Sequence, residues 1–142
     1  MIIRVLDEEK ANVCDQLLTK LIAEEQDIDN GFKVKGYFKN VIKDQKKILL
    51  SFFEDDIVKG YIYLKPIETD DKNCYLIDGL YVLKEYRNNG IAKKLLDEGL
   101  KLLKEKNISF VDISVMEDNK IAYNLYKKYG FVNHRITMRK TI

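Results

Sequence analysis

The sequence predicts a single domain of the α/β class, and three observations support this prediction. Short apolar runs with the length of buried strands alternate with segments whose apolar residues recur at helical spacing. The chain has 142 residues, 46% of them hydrophobic, which suffices for a core and is typical of one domain. No segment rich in Gly, Pro or Ser divides it. We therefore expect one domain over residues 1–142, with elements in the order β-α-α-β-β-β-α-β-α-β.

The N-terminal half is predicted to contain two helices between a first strand and a β-hairpin. In chain order, the predicted elements are a strand at residues 2–6, helices at 8–26 and 34–42, and hairpin strands at 48–53 and 57–64. Asp7 stands where the first helix needs an N-cap. An acidic turn joins the hairpin strands. We expect Pro66, the only proline, to mark the end of the second hairpin strand.

The C-terminal half alternates strands with helices after a polar loop at residues 68–73. The predicted elements are a strand at 75–82, a helix at 90–106, a strand at 108–115, a helix at 119–129 and a last strand at 132–138. The helix at 90–106 has a stripe of small and apolar residues at helical spacing. This stripe, which we expect to be buried, consists of Ala92, Leu95, Leu96, Gly99 and Leu103.

Composition and charge exclude several functional classes. The 25 basic and 23 acidic residues are well mixed and give a net charge of +2, so charge provides no argument for nucleic acid as a partner. We find no signal peptide and no apolar run long enough to cross a membrane, and we expect a cytoplasmic protein. Cys14 and Cys74 are far apart and His134 is the only histidine, so we predict no metal site. The oligomeric state stays open, with a homodimer as one alternative.

The turn between the strand at 75–82 and the following helix has the features of a phosphate-binding loop. Its sequence is Tyr-Arg-Asn-Asn-Gly-Ile-Ala, at residues 86–92. The first N–H groups of a helix have no internal partner and carry partial positive charge. Gly90 lets a ligand come close to the backbone, and Arg87 adds a charge that can pair with phosphate. Neither a Walker loop nor a three-glycine dinucleotide fingerprint is present.

Two motifs resemble those of the GCN5-related N-acetyltransferases (the GNAT family). Arg-x-x-Gly-x-Ala at residues 87–92 resembles the pyrophosphate loop of that family. Asn-x-x-Ala-x-x-x-Tyr-x-x-x-Gly-Phe at residues 119–131 resembles a second family segment. The resemblance implies a mixed central sheet with helices on both faces. It also implies that acetyl passes directly from acetyl-coenzyme A (acetyl-CoA) to an amine of a small molecule or peptide.

The resemblance implies roles for individual residues as well. Tyr126 would protonate the departing coenzyme A thiolate, and Asp78 would take a proton from the amine, directly or through a water. The backbone of the strand at 80–82 would bind the pantetheine arm and the thioester carbonyl. Asn119 would bond the arm. The implied acetyl-CoA contacts are Leu80, Tyr81, Val82, Arg87, Asn88, Asn89, Gly90, Ile91, Ala92 and Asn119.

A structural role is the alternative for several of these residues. Asp78 also fits an outward-facing strand position, and Tyr126 also fits the apolar pattern of its helix. Asn119, or Asp118 beside it, is a suitable N-cap. Gly79 inside an apolar strand indicates a bulge or a close backbone approach, and the resemblance favours a splay of the strand there.

Two other functions and several acceptors stay open. The same fold would also suit a catalytically silent domain that binds or senses acyl-CoA, or an interaction domain in which both motifs are accidental. The segment that covers the acceptor in the family corresponds to residues 24–37, which contain four acidic side chains. A solvated helix end or a cleft for a cationic amine, such as a polyamine, would each explain its side chains: Glu24, Glu25, Asp27 and Asp29, with Phe32 and Tyr37 nearby.

Overall fold

The computed structural model describes residues 1–26, 31–68 and 73–142, in which five strands form one sheet. The strands are β1 (Ile2–Arg4), β2 (Ile48–Glu54), β3 (Ile57–Ile67), β4 (Cys74–Val82) and β5 (Phe110–Ile113), and they lie in the sheet in chain order. The first four are antiparallel to their neighbours, whereas β5 is parallel to β4. The described helices are α1 (Glu8–Gln26), α2 (Tyr37–Val41), α3 (Ile91–Glu105) and α4 (Lys120–Lys128), with a 3₁₀ turn at Lys84–Tyr86. None of them is long and apolar enough to cross a membrane.

The helices cover both faces of the sheet, which confirms the predicted fold class. Side chains alternate along β3, so Tyr61 and Tyr63 pack in the core beneath α1 and α2, while Ile62 and Leu64 pack in the core beneath α3. Gly99 lets α3 approach the sheet closely, because a Cβ there would lie 3.1 Å from Leu64 Cδ1. The central strands are therefore buried on both sides and hold the site rigidly.

A buried carboxylate joins the two N-terminal helices. Asp15 of α1 is 3% exposed, and its Oδ1 accepts a hydrogen bond from the Phe38 N–H at 3.0 Å. Gly36, the N-cap of α2, offers no side chain, so Asp15 supplies the acceptor that the first turn of α2 needs. Thr19 Oγ1 accepts from the Val34 N–H at 2.9 Å in the same way. Residues 34–38 are thereby held against α1, where they flank the site.

Two elements before α3, the strand β3 and the helix α2, differ in length from the predicted ones. The strand β3 does not end before Pro66 but continues to Ile67, with Pro66 opposite Tyr75 of β4. Since β2 begins opposite Leu64, Pro66 has a neighbouring strand on one side only, and a sheet tolerates proline at such an edge. The helix predicted at 34–42 is shortened to α2. The polar loop predicted at 68–73 lies mostly outside the described residues.

The C-terminal end differs more. The strand predicted at 108–115 is shortened to β5, and residues 131–142 contain no helix or strand. The last strand predicted at 132–138 is therefore wrong for this chain. Its alternating apolar side chains are fully solvated, as shown by Ile136 at 80% and Met138 at 90% exposure. A strand needs a neighbouring backbone to satisfy its N–H and C=O groups, and this segment pairs with no strand among residues 1–26, 31–68 and 73–142.

Asp15→Ala should lower the free energy of unfolding by about 1–3 kcal/mol, because it leaves the buried Phe38 N–H without an acceptor. Asp15→Asn should cost less, since its amide oxygen can still accept that hydrogen bond. Urea denaturation measures both changes. Glu9→Ala, at an exposed acidic position of the same helix, serves as the control and should change stability by less than about 0.5 kcal/mol. Equal losses at Asp15→Ala and Glu9→Ala would show that the bond does not join the helices.

Candidate active site

The strands β4 and β5 separate halfway along β4. Their parallel pairing runs from Cys74 opposite Phe110 to Ile77 opposite Ile113 and ends there, whereas β4 continues to Val82. On its other side β4 contains a bulge, because Leu64 lies opposite Ile77 but Tyr63 lies opposite Gly79. Asp78 is the extra residue. The bulge predicted from Gly79 is thus confirmed, and the edge of β4 beyond it faces a gap instead of a strand.

A cleft of about 860 Å³ occupies this gap, a volume suited to a cofactor-sized ligand. It lies between β4, the turn before α3, the chain after β5, and α4. Every predicted site residue except Asn89 lines it. Asn89 instead closes the turn, since its Nδ2 donates to the carbonyls of Tyr86 at 3.1 Å and Arg87 at 3.3 Å. The structure thus brings both predicted catalytic residues, Asp78 and Tyr126, to one cleft.

The turn before α3 presents uncommitted backbone amides to the cleft. Asn88 and Gly90 both have a left-handed backbone, with φ of 67° and 77°. Among the described residues, the N–H groups of residues 88–93 have no protein acceptor. A Cβ at Gly90 would meet nothing within 4 Å, so the space in front of these amides is open. Successive N–H groups at the start of a long helix form a concave site for an anion.

Arg87 contacts the end of α1 rather than the turn. Its guanidinium donates to Glu24 Oε2 at 2.7 Å and, through Nε, to the Val82 carbonyl at 2.9 Å. The Tyr81 hydroxyl donates to the other Glu24 oxygen at 3.0 Å, and Arg87 lies 5.3 Å from the Tyr81 ring centre. Burial, and then the bond to Glu24, raise the pKa of Tyr81 to about 12. This cluster fixes the C-terminal end of α1 beside the end of β4.

Asp78 lies among tyrosines that the sequence did not single out. Its Oδ2 is 3.4 Å from Lys65 Nζ, and about a third of its side chain, 34%, is exposed. Burial raises the pKa values of Tyr61 and Tyr63, and the charge of Asp78 adds to the effect at both residues. The Tyr61 hydroxyl is buried without a hydrogen-bond partner among the described residues. It lies under the bulge, 3.2 Å from where a Cβ of Gly79 would be.

The helix α4 brings Asn119 and Tyr126 to the opposite wall of the cleft. Asn119 is the N-cap of α4, as predicted, and its side chain accepts from the Ala122 N–H at 3.2 Å. Tyr126 is half-buried, with its ring 5.8 Å from that of Phe131. Burial raises the pKa of Tyr126, so its phenol keeps its proton well above neutral pH. Tyr129 fixes α4 to α3 through a 2.7 Å hydrogen bond to Asp97.

The remaining predicted contacts lie at the two ends of the gap. Leu80 is partly buried and lines the cleft, whereas the Val82 carbonyl is already bonded to Arg87. Ile91, the first residue of α3, is buried and Ala92 is partly buried, so each can offer a ligand mainly its backbone N–H. No three His, Cys, Asp or Glu side chains cluster as a metal site within the described ranges. The expectation of no metal stays a prediction.

A sheet that splits beside a helix with uncommitted N-terminal amides is an arrangement suited to a phosphate-bearing ligand. The model of the Acetyltransferase (GNAT) family matches residues 14–131, which is most of the chain. The chain therefore belongs to the GNAT acetyltransferase family, as the two motifs predicted.

Sequence relatives match the chain over part of their length. The N-alpha-acetyltransferase of Sulfurisphaera tokodaii is 38% identical over 73 residues, 51% of this chain and 43% of the relative. The spermidine N(1)-acetyltransferase of Thermoplasma acidophilum is 33% identical over 84 residues, 59% of this chain and 50% of the relative. The chain thus spans about half the length of the curated relatives it matches.

Solved structures match over the whole chain. AAC(6')-Iy in complex with the bisubstrate analogue CoA-S-monomethyl-acetylneamine has a TM-score of 0.75 at 14% identity, covering 100% of this chain and 97% of its own. An aminoglycoside acetyltransferase from an uncultured soil metagenomic sample, in complex with sisomicin, has a TM-score of 0.79 at 15% identity, covering 100% and 95%. At these identities the similarity shows the fold alone.

Proposed function

We propose that this chain is an N-acetyltransferase that moves acetyl from acetyl-CoA directly to the amine of a small molecule or peptide. One observation carries the proposal: a carboxylate, a phenol and a row of uncommitted amides line the same cleft. The names of the relatives, N-alpha-acetyltransferase and spermidine N(1)-acetyltransferase, support an amine as acceptor. A cytoplasmic setting and the absence of nucleic-acid and membrane partners stay predictions.

The volume of the cleft and the amides that line it support acetyl-CoA as the donor, which when bound supplies an acetyl group activated as a thioester. The amides of residues 89–92 would hold the pyrophosphate, with Asn88 beside them. The edge of β4 at residues 80–82 and Asn119 would hold the pantetheine arm. Arg87 would reach a phosphate only by leaving Glu24. That exchange costs little, because the side chains of the pair are 39% and 40% exposed and such pairs contribute about 0–1 kcal/mol.

Asp78 is the group that would take the proton from the acceptor. An alkylamine of pKa about 10 is protonated at neutral pH and cannot attack a thioester in that form. The 3.4 Å contact of Asp78 with Lys65 Nζ supports the proposal, since it shows that this carboxylate is accessible to a primary ammonium group. The acceptor would take the same position. The proton would then pass to Asp78 directly or through one water.

Tyr126 would hold the proton that the departing sulfur needs. Burial raises its pKa, so the acid form persists through neutral and moderately alkaline pH. A thiol has a pKa of about 8.5, so a neutral phenol can hydrogen-bond the sulfur as negative charge develops on it. A catalytically silent domain that binds acyl-CoA would not need the Tyr126 hydroxyl, so measurements of turnover distinguish it from an acetyltransferase.

Gly90→Glu should abolish stabilisation by coenzyme A, because it puts a side chain and a negative charge in front of the turn amides. The parent should gain about 2.7 kcal/mol at a hundredfold excess over Kd. Thermal unfolding with and without coenzyme A measures this. Gly36→Glu is the matched control: Gly36 also precedes a helix, has φ of 71° and has open space around it. It should keep the shift, whereas an unchanged shift in Gly90→Glu would refute the phosphate site.

Asp78→Asn should reduce turnover about 10²–10⁴-fold near neutral pH and much less at high pH, where the acceptor amine is already deprotonated. A pH–rate profile, followed by release of free thiol across a panel of amines, measures the effect. Asp112→Asn is the control, because Asp112 lies on β5 and does not line the cleft. If Asp78→Asn has the same pH–rate profile as the parent, Asp78 is not the base and is only a structural residue of β4.

Tyr126→Phe should lower kcat about 10²–10⁴-fold with little change in the KM for acetyl-CoA, since the proton acts mainly in the transition state. The loss should shrink for a donor whose thiol has a lower pKa. Tyr123→Phe, on the same helix but outside the cleft, should keep kcat near that of the parent. Retained kcat in Tyr126→Phe would remove this residue from the mechanism. Coenzyme A binding without turnover by the parent would support the silent alternative.

A further inference from the structure

The carboxylate of Asp78 is in contact with an ammonium group that belongs to the chain itself. Lys65 lies on β3 on the same face as Tyr61 and Tyr63, and its Nζ is 3.4 Å from Asp78 Oδ2. Lys65 pairs with Leu76 in the sheet, and the bulge after Ile77 lets Asp78 reach across to it. Asp78 lines the cleft, whereas Lys65 lies just outside the lining. The pair therefore stands where an acceptor would meet the proposed base.

The contact between Lys65 and Asp78 is loose enough for a ligand to separate the two side chains. They are 33% and 34% exposed, and 3.4 Å is longer than the 2.8 Å between Lys59 Nζ and Glu54 Oε1. Pairs with this exposure contribute little to stability, because water screens their charges. The flexible four-carbon stem of a lysine also lets its ammonium group move while the strand stays in place. A ligand can thus take a position between the two groups.

Two tyrosines form an aromatic wall beside this pair. The rings of Tyr37 and Tyr63 lie 6.3 Å apart in an edge-to-face arrangement. Burial and then the charge of Asp78 raise the pKa of Tyr37, whereas the charge of Lys65 lowers it, so both charges act at the Tyr37 hydroxyl. Tyr37 is 39% exposed and begins α2, which Asp15 holds against α1. The wall is therefore fixed in position and open to a ligand.

A simple amine and an amino acid change the charges at this pair in different ways. When an alkylammonium group comes to Asp78, two ammonium groups share one carboxylate and repel each other. An α-amino acid brings its own carboxylate, roughly 3 Å from its amine by covalent geometry. Its ammonium pairs with Asp78 and its carboxylate pairs with Lys65, so two ion pairs replace one. The site therefore favours an acceptor that carries both charges.

The rest of the cleft has no excess of acidic side chains among the described residues. A polyamine carries several positive charges and is attracted by an acidic surface. Here Glu24 is already paired with Arg87, and three acidic lining residues are matched by three basic ones. These residues are Glu24, Glu25 and Asp78, and Arg87, Lys93 and Lys128. The balance of charge favours a zwitterion over a polycation.

We propose that the acceptor is an α-amino acid, acetylated at its α-amine, and that Lys65 selects it by binding its carboxylate. This inference rests on the proposed acetyltransferase function and names its substrate class. The α-ammonium gives one proton to Asp78, its nitrogen bonds to the acetyl carbon, and the carbon–sulfur bond breaks. Nitrogen loses a second proton as the amide forms, which replaces the proton that Tyr126 gives to the sulfur. The products are an N-acetyl amino acid, coenzyme A and one proton, held at first by Asp78.

Paired acceptors test this selection. Leucine, phenylalanine, serine and glutamate should each be compared with the corresponding α-amide, with release of free thiol as the measurement. For at least one pair, kcat/KM should be about tenfold or more higher for the acid, the value of a contact between charged groups. The amide has the lower amine pKa, so ionisation of the amine cannot produce this result. Acetylation of other amines, such as putrescine, with no acid preferred over its amide would overturn the inference and leave the proposed function standing.

Variants of Lys65 test the role of its charge. Lys65→Met should remove the preference mainly by raising the KM for the acid, since the carboxylate is bound before the transition state. Lys65→Glu should reverse the preference, and Lys65→Arg should keep it. Lys39→Met is the matched control, because Lys39 also pairs with a carboxylate, that of Glu8 at 3.2 Å, but lies outside the cleft lining. An unchanged preference in Lys65→Met would overturn the inference.

Calorimetry distinguishes a failure of this inference from a failure of the proposed function. Each acid and its amide are titrated into the full chain saturated with coenzyme A. At least one acid should bind about tenfold more tightly than its amide to the parent, and equally to Lys65→Met. Tighter binding of the acid without turnover would refute the acetyltransferase function but support the amino-acid site. Equal binding of acid and amide in every pair would overturn the inference whatever the turnover.

Discussion

The separation of β4 from β5 after Ile77 is the constraint on which the rest of the site depends. A bulge at Asp78 shifts the register of β4 against β3, and beyond it no strand covers the outer edge of β4. Backbone groups freed from a sheet are costly unless a ligand or water satisfies them. The buried cores on both faces of the central strands hold the gap open, since collapse would disrupt packing on either side.

The turn before α3 offers an anion its backbone amides rather than a free cationic side chain. Arg87, the charged residue of the turn, is neutralised by Glu24, and the turn instead offers amides with no acceptor among the described residues. Such amides are fixed in direction by α3 and lose no side-chain entropy when an anion binds. The Arg87–Glu24 contact meanwhile joins the ends of α1 and β4, so the same residues fix one wall of the cleft.

Asp78 and Tyr126, the proposed base and acid, occupy different environments in the cleft. The Asp78 side chain is 34% exposed and lies 3.4 Å from Lys65 Nζ. Tyr126 is half-buried and its pKa is raised by that burial, which keeps the phenol protonated. The buried Tyr61 hydroxyl lies under the bulge, close to Gly79, and is a polar group that the sequence pattern did not indicate.

The sequence by itself determined what depends on neighbours along the chain. The caps at Asp7 and Asn119, the buried stripe of α3 and the glycine turn before it all arise from hydrogen bonds or periodicity within a few residues. Gly79 indicated the bulge for the same reason. These local signals, with two motifs, sufficed for the fold class, and all the predicted site residues except Asn89 line the cleft.

Only the tertiary structure decided where distant groups meet. Arg87 and Glu24 lie 63 residues apart and Asp15 and Phe38 lie 23 apart, and no local pattern encodes either contact. The strand β3 continues through Pro66 because β2 begins opposite Leu64 and does not extend beside Pro66, so no β2 group needs the missing N–H. Residues 132–138 have the alternation of a strand but pair with no strand in the part of the chain that the structure describes. The physical reason is common to these cases: local preference fixes a segment's conformation, whereas the partner backbone or charge that stabilises it comes from elsewhere in space.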